Sequence, residues 1–251
     1  MIIFTHIPRT GGRALIEYSY KEYRRKRTVT RFHRKEYSDP PPSYPDKYKF
    51  AVGHVAYGCH KYFPDTKDIK YITFLRNPIS RWKSFFNKTI FTTNTSYRRE
   101  LWIKKARGNI ISFLSYVLKN DMHCNVMVKM LSGLEDLSNI IRVPGIKYTY
   151  IYTSRKKKYS EDEMEKFYEA AKYNLLNNYY FVGFQENYVN DFKKLSDKLG
   201  WKKKSLKRSN VSKNKPRVGW KDKKVRKLLR QMNKYDIRFY NEMSNILKIN
   251  L

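Results

Sequence analysis

The sequence is poor in cysteine, in acidic residues and in long apolar runs, and each shortage excludes a class of protein. Its two cysteines, Cys59 and Cys124, cannot build a disulfide framework, although one bridge or two buried thiols remain open. No Cys/His spacing suits a zinc site. No window approaches the ~20 apolar residues of a membrane span, and no signal peptide precedes the first motif. We therefore expect a soluble chain without a membrane anchor.

The shortage of acidic residues gives a formal net charge of +32, from 54 Lys and Arg against 22 Asp and Glu. A charge of this size attracts polyanions such as nucleic acid, acidic membrane surfaces or acidic polysaccharides. The lysine runs fit a solvated, compositionally biased surface equally well. The length and the hydrophobic content of 41% suit one domain, residues 1–251, with a sizeable core.

Short apolar strands alternate with amphipathic helices along the chain, and this order predicts an α/β fold. Buried strands separated by helices are typical of a mostly parallel central sheet with helices on both faces. Strands are predicted over 2–7, 28–32, 50–55, 71–75 and 179–184. Helices are predicted over 11–23, 79–91, 110–118, 123–131, 160–177 (opened by a capping box at Ser160), 189–199 and 222–247.

A loop between the first strand and the first helix has the features of an anion site. It reads His6-Ile7-Pro8-Arg9-Thr10-Gly11-Gly12-Arg13. Glycines let backbone N–H groups approach an anion, and the helix start adds partial positive charge. The loop is neither a Gly-x-x-x-x-Gly-Lys-Ser/Thr loop nor a Gly-x-Gly-x-x-Gly fingerprint. Thr-Gly-Gly alone equally fits an ordinary turn.

A second segment, Leu75-Arg76-Asn77-Pro78 followed by a helix with Ser84, also suits an anion. Arg76 leaves a strand end with a planar fork that matches phosphate. Pro78 suits the first turn of a helix, where its missing N–H costs nothing.

Together the two segments resemble the nucleotide-binding motifs of the PAPS-dependent carbohydrate sulfotransferases, of the heparan sulfate 2-O- and 6-O-sulfotransferase type. The resemblance implies a P-loop-like sulfotransferase fold. It implies 3′-phosphoadenosine-5′-phosphosulfate (PAPS) as co-substrate, adenosine 3′,5′-bisphosphate as product, and no metal. It assigns the 5′ side of PAPS to Arg9, Thr10, Gly11, Gly12 and Arg13, and the 3′-phosphate to Arg76 and Ser84. Arg9, where the family usually has Lys, is the expected cation at the leaving oxygen.

The resemblance extends toward the C-terminus. The basic loop at 208–216 is similar to a family segment that closes over the nucleotide, which implies contacts from Ser212, Lys213 and Lys215. Val182-Gly183-x-x-Glu186 is similar to the family's Val-Gly-x-x-Glu strand end. Because family members are usually anchored Golgi proteins, we expect either a cytoplasmic protein or a soluble Golgi-lumenal catalytic domain.

His54 is the candidate general base. It ends a predicted strand in Gly53-His54-Val55, and the carboxyl ends of parallel strands face the ligand crevice. Family members with a catalytic histidine carry it in a similar Gly-His-Val setting. A histidine is neutral near pH 7 and accepts a proton. A purely structural role for His54 remains open, and His60 is the reserve candidate.

These features predict an enzyme that transfers a sulfuryl group from PAPS to a carbohydrate hydroxyl. The high positive charge favours a polyanionic, glycosaminoglycan-like acceptor over a neutral one. Two other hypotheses stay open. The basic runs fit a nucleic-acid-binding protein, although no binding signature accompanies them. A nucleotide kinase shares the strand–loop–helix order, but the closing Lys-Ser/Thr and a magnesium carboxylate are missing from the sequence. The acceptor and the oligomeric state do not follow from the sequence.

Overall fold

The computed structural model describes residues 1–24, 28–30, 49–62, 66–91, 109–119, 124–134, 159–202 and 219–247. The strands are β1 (Ile2–Thr5), β2 (Thr28–Thr30), β3 (Phe50–Gly53), β4 (Lys70–Leu75) and β5 (Tyr179–Phe184). The helices are α1 (Gly12–Tyr23), α2 (Pro78–Phe91), α3 (Ile110–Lys119), α4 (Val126–Ser132), α5 (Glu161–Asn177), α6 (Tyr188–Lys198), α7 (Lys223–Met232) and α8 (Lys234–Ile246). Short 3₁₀ turns lie at Cys59–Tyr62 and Gln185–Asn187.

The strands form one sheet in the order β2-β3-β1-β4-β5, and every pairing is parallel. Four strands make its body, and the three-residue β2 extends one edge. On one side of the central β1 lie β3 and then the edge strand β2. On the other side lie β4 and then the edge strand β5. The strand order therefore reverses between β1 and β4, where parallel α/β sheets form their ligand crevice at the carboxyl ends of the strands.

Helices cover both faces of the sheet, as the apolar strands require. On one face Phe4 and Phe74 pack with α1 and α6 through side chains such as Tyr18 and Phe192. A second core joins Leu75 and Phe184 to α4, α5 and α8. A third cluster packs α2, α3 and α7 together. The predicted α/β fold with a parallel sheet covered on both faces is confirmed.

The main difference from the sequence prediction lies in the last helix, which is two helices that meet at Asn233. Asn233 is fully buried with φ −125° and ψ 26°, outside helical geometry. Its amide nitrogen donates to the Leu229 carbonyl over 2.8 Å, and its amide oxygen accepts from Arg81 over 3.4 Å. The apolar spacing continues across the break, so the sequence pattern carries no sign of it.

Smaller differences concern the ends of elements. The first strand ends at Thr5 and the third at Gly53, each two residues earlier than predicted, because the chain turns into the site loops there. The capping box of α5 is confirmed, since the Ser160 and Glu163 side chains each accept the other's backbone N–H. Cys59 and Cys124 are both buried free thiols. Of the helices described, none combines the length and apolarity needed to cross a bilayer.

Candidate functional site

Four parallel strands end side by side, and the residues that follow them build the candidate site. Thr5 pairs with Gly53 on one side and with Thr73 on the other, so β1, β3 and β4 end at nearly the same level. The loops that leave them begin at His6, His54 and Arg76. The sheet thus brings together three segments that are 22 to 70 residues apart in sequence.

The first loop has a backbone that its glycines make possible. Gly11 has φ 91°, and a Cβ there would lie 2.9 Å from the Tyr188 ring. The Tyr188 hydroxyl donates to the Gly11 carbonyl over 3.1 Å and fixes the turn. A Cβ on Gly12 would lie 2.3 Å from the His6 ring. Arg9 has φ 72°, an uncommon left-handed conformation for a residue with a Cβ.

The two predicted nucleotide motifs contact one another directly. The Ser84 hydroxyl accepts from both Nε (3.1 Å) and Nη2 (2.9 Å) of Arg9. Arg76 Nη1 donates to the Arg9 carbonyl over 2.8 Å. Arg76 Nε is buried and has no hydrogen-bond acceptor among the described residues. An arginine that contacts the backbone of a second arginine, together with a buried guanidinium donor that lacks an acceptor among the described residues, suits an anion site.

The Glu186 carboxylate lies near Arg76 and links the start of α2 to α8. One of its carboxylate oxygens accepts from the Asn77 backbone N–H (2.9 Å) and the other from the Tyr240 hydroxyl (3.0 Å). The Asn77 side chain in turn accepts from two backbone N–H groups in the first turn of α2. Burial lowers the pKa of Arg76 and the Glu186 charge opposes that effect. An arginine remains charged under such a shift.

The side chains of Thr10 and Arg13 make other contacts than the one between Arg9 and Ser84. Thr10 is fully buried, and its hydroxyl donates to the Ile7 carbonyl over 2.8 Å, so its side chain shapes the loop. The Arg13 side chain is 69% exposed and pairs with Glu17 over 3.2 Å on the surface of α1. The predicted contacts of Ser212, Lys213 and Lys215 lie outside the described residues.

The hydrogen bond of His54 fixes which of its nitrogens is basic. Nδ1 lies 2.6 Å from the backbone carbonyl oxygen of His6. A carbonyl oxygen accepts and never donates, so Nδ1 carries the proton and the basic lone pair of the neutral ring is on Nε2. Burial lowers the pKa of His54, Arg9 lowers it further, and the bond to His6 opposes both. The ring is therefore neutral at pH 7.

A second histidine packs against this one. The His6 and His54 rings lie 4.5 Å apart between centroids, and Phe4 stacks against His6 at 5.3 Å. Burial, followed by the neighbouring His54 and Arg9, holds the pKa of His6 well below its usual value. Both imidazoles are thus kept neutral beside a cation.

His60, the reserve base, belongs to a different cluster. The Tyr71 hydroxyl lies 3.0 Å from its Nδ1 and accepts its backbone N–H over 2.9 Å. The same hydroxyl lies 3.6 Å from the Cys59 thiol. His60 therefore helps to hold the 3₁₀ turn, and the structure brings His54, not His60, to the first loop.

A buried ion pair that the sequence did not predict joins α2 to α8. Arg81 and Asp236 are both fully buried, with Nη2 3.9 Å from the carboxylate. The carboxylate oxygens also accept the backbone N–H groups of Met127 and Val128, each over 3.0 Å. Arg81 and Asp236 are 155 residues apart, and no local sequence pattern pairs them.

Within the described part of the chain, no group of three or more His, Cys, Asp or Glu side chains is placed to hold a metal ion. No protein-family model matches the chain, and no curated protein matches it significantly. The resemblance to the sulfotransferases therefore rests on the motif residues and on the contacts between them.

Proposed function

We propose that the chain is a PAPS-dependent sulfotransferase that modifies a carbohydrate hydroxyl, with an anionic, glycosaminoglycan-like acceptor. One observation supports this function most strongly: Arg9 contacts Ser84 and Arg76 at the crevice between β1 and β4. Arg76 and Arg9 are 67 residues apart, and Arg9 and Ser84 are 75 apart. Two motifs matched independently in the sequence meet where a parallel sheet binds its ligand.

The donors at this crevice fit a nucleotide with several anionic groups. The buried Nε of Arg76 lacks an acceptor among the described residues, and a phosphate oxygen would satisfy it. Ser84 accepts from Arg9 and keeps its own O–H to donate. The first loop adds the helix start of α1, at which anions are favoured.

Sulfuryl transfer requires a general base, a cation at the leaving oxygen and alignment of the reacting groups. In the transfer, a bond forms between sulfur and the acceptor oxygen as the bond between sulfur and the bridging phosphate oxygen breaks. The acceptor proton goes to Nε2 of His54, the nitrogen on which the tautomer places the lone pair. The electron pair of the broken bond stays on the phosphate oxygen, where the charge of Arg9 stabilises it.

Nucleotide binding is tested first, by the thermal shift that adenosine 3′,5′-bisphosphate produces. A ligand at 100 times its Kd adds about 2.7 kcal/mol, or roughly 5–10 °C in Tm for a chain of this size. Arg76→Ala removes a charge-assisted contact and should weaken binding about tenfold to a hundredfold. Arg238→Ala, at a half-exposed position of α8 where the guanidinium pairs with Glu165, is the matched control. A wild-type protein with no shift would refute the proposal.

Turnover is tested with labelled PAPS and a set of heparan, chondroitin and desulfated acceptors. His54→Asn keeps a nitrogen donor near the position of Nδ1 and removes the basic Nε2. We expect kcat to fall by about 10²–10⁴, while the nucleotide thermal shift is unchanged. His60→Asn is the control and should retain activity. Equal turnover by His54→Asn and wild type would remove His54 from the mechanism.

A further inference from the structure

Helix α7 separates apolar and basic residues more sharply than its neighbours do. It carries five cations and no acidic residue within ten positions, Lys223 to Met232. Val225, Leu229 and Met232 are buried against α2 and α3. The opposite side is exposed and wholly basic or polar.

Four of these cations form a stripe along the exposed side. Lys223, Arg226, Lys227 and Arg230, with Gln231, line a surface cavity of about 470 Å³, which we call the α7 groove. The spacing of three, four and seven residues puts them on one helix face, over a length of about 10 Å. None of these residues belongs to the candidate transfer site.

The stripe differs from α8 in that no acidic side chain of the described residues pairs with its charges. On α8, Lys234 pairs with Glu161 and Arg238 with Glu165, each over 2.5 Å. In the α7 groove, none of the four cations forms an ion pair with a described residue. Asp222, the adjacent acid, accepts two backbone N–H groups as the cap of α7.

This arrangement destabilises the helix in isolation. Like charges four residues apart repel, as at Lys223 and Lys227 and at Arg226 and Arg230. Cations near a helix start also oppose the helix dipole, and Lys223 is the first residue of α7. A bound polyanion would relieve both effects.

We propose that the α7 groove binds a linear anionic polysaccharide, as a docking surface separate from the transfer site. Four cations on one helix face, spread over about 10 Å, match a linear chain that carries several negative charges. Single-stranded nucleic acid needs aromatic side chains for base stacking, and α7 contains none. Its role as an acceptor surface rests on the proposed function, whereas the binding itself does not.

The groove is connected to the transfer site through α2. Lys83, next to Ser84, lies with its ammonium 5.9 Å from the ring of Trp220, just before α7. At the other end of α7, Asn233 accepts from Arg81 in α2. The groove therefore lies on the outer side of a helix whose inner side packs against α2, the helix that carries Ser84.

The test is the affinity for size-defined heparin oligosaccharides over a range of NaCl concentrations. The groove variant replaces four cations with glutamine: Lys223→Gln, Arg226→Gln, Lys227→Gln and Arg230→Gln. The matched control removes the same charge from scattered exposed sites: Lys21→Gln, Lys166→Gln, Lys193→Gln and Lys202→Gln. We expect the groove variant to bind at least about tenfold more weakly, with a log–log salt slope shallower by about 3. Equal losses in both variants would overturn the proposal.

Two further measurements distinguish a failure of the groove proposal from a failure of the proposed transferase function. Single-stranded and duplex DNA of equal total charge are compared with heparin, and tighter binding of either DNA at the groove would overturn a polysaccharide site. The thermal shift with adenosine 3′,5′-bisphosphate reports on folding and on the transfer site. A shift in both proteins with unchanged heparin affinity refutes the groove alone. A heparin loss specific to the groove variant, with no shift in wild type, refutes the transferase and keeps the groove.

Discussion

Replacing Gly12 with alanine tests the packing that shapes the first loop. Gly12 begins α1, and its φ is not in the left-handed region, so an alanine meets no backbone penalty there. The obstacle is the His6 ring, since the new Cβ would lie 2.3 Å from its Cδ2 and Nε2. That ring packs between Phe4 and His54, and the His6 backbone N–H donates to the Gly53 carbonyl over 2.9 Å.

The magnitude follows from two opposing effects. To restore ordinary contact, the His6 ring must move by about 1 Å in a packed environment. Overpacking of this kind costs about 1–3 kcal/mol. Exchange of glycine for alanine at a compatible position gains about 0.4–1 kcal/mol, because the unfolded chain loses freedom. We therefore expect Gly12→Ala to lower the free energy of unfolding by about 1–2 kcal/mol.

A double-mutant cycle with His6→Ala isolates the contact. His6→Ala keeps the backbone carbonyl that accepts from His54, and it removes the ring that the new Cβ would strike. In that background Gly12→Ala should stabilise the protein by about 0.4–1 kcal/mol, a reversal of sign. Urea midpoints at constant m-value measure each corner of the cycle. The same cost in both backgrounds would refute the close approach of Gly12 and His6.

Two further predictions concern buried ionisable groups. Because burial lowers the pKa of both His6 and His54, the stability they contribute is fully present above the unfolded pKa near 6.5 and is lost as pH falls through their folded pKa values. The urea midpoint should fall less between pH 7 and pH 5 in a His6→Asn, His54→Asn double variant than in wild type, and parallel curves would contradict this. Asp236→Ala leaves Arg81 buried without its carboxylate and two backbone N–H groups without an acceptor, and should cost about 3–5 kcal/mol. Glu165→Ala, which breaks an exposed pair with Arg238, should cost less than about 1 kcal/mol in the same urea titration; comparable losses would be evidence against the buried pair.

Local signals in the sequence were enough to predict the sheet and one of the site segments. The apolar run 71–75 ends at Arg76, and Pro78 follows as the first residue of α2, as expected. Each strand end was also predicted to within two residues. Because the sheet is parallel, these ends lie at one edge, and the nearness of His6, His54 and Arg76 follows from topology.

The contacts within the site did not follow from local signals. Arg9, which donates to Ser84, has a left-handed backbone, and arginine has no preference for that conformation. The tautomer of His54 is set by a backbone carbonyl, which no side-chain pattern reveals. Tyr188 holds Gly11 from the start of α6, although in sequence it is an ordinary aromatic residue of an amphipathic helix.

Arg9, at the position where the sulfotransferases usually have lysine, connects the candidate anion site to the histidine. Its Nε and Nη2 lie along one edge of the guanidinium, and both reach the Ser84 hydroxyl. A lysine offers a single nitrogen and cannot make this paired contact. The anchored positive charge also lowers the pKa of His6 and of His54. Burial is the main cause of these lowered pKa values, and the Arg9 charge adds to it. The His6 carbonyl sets the tautomer of His54, so a base at His54 needs no carboxylate partner for that purpose.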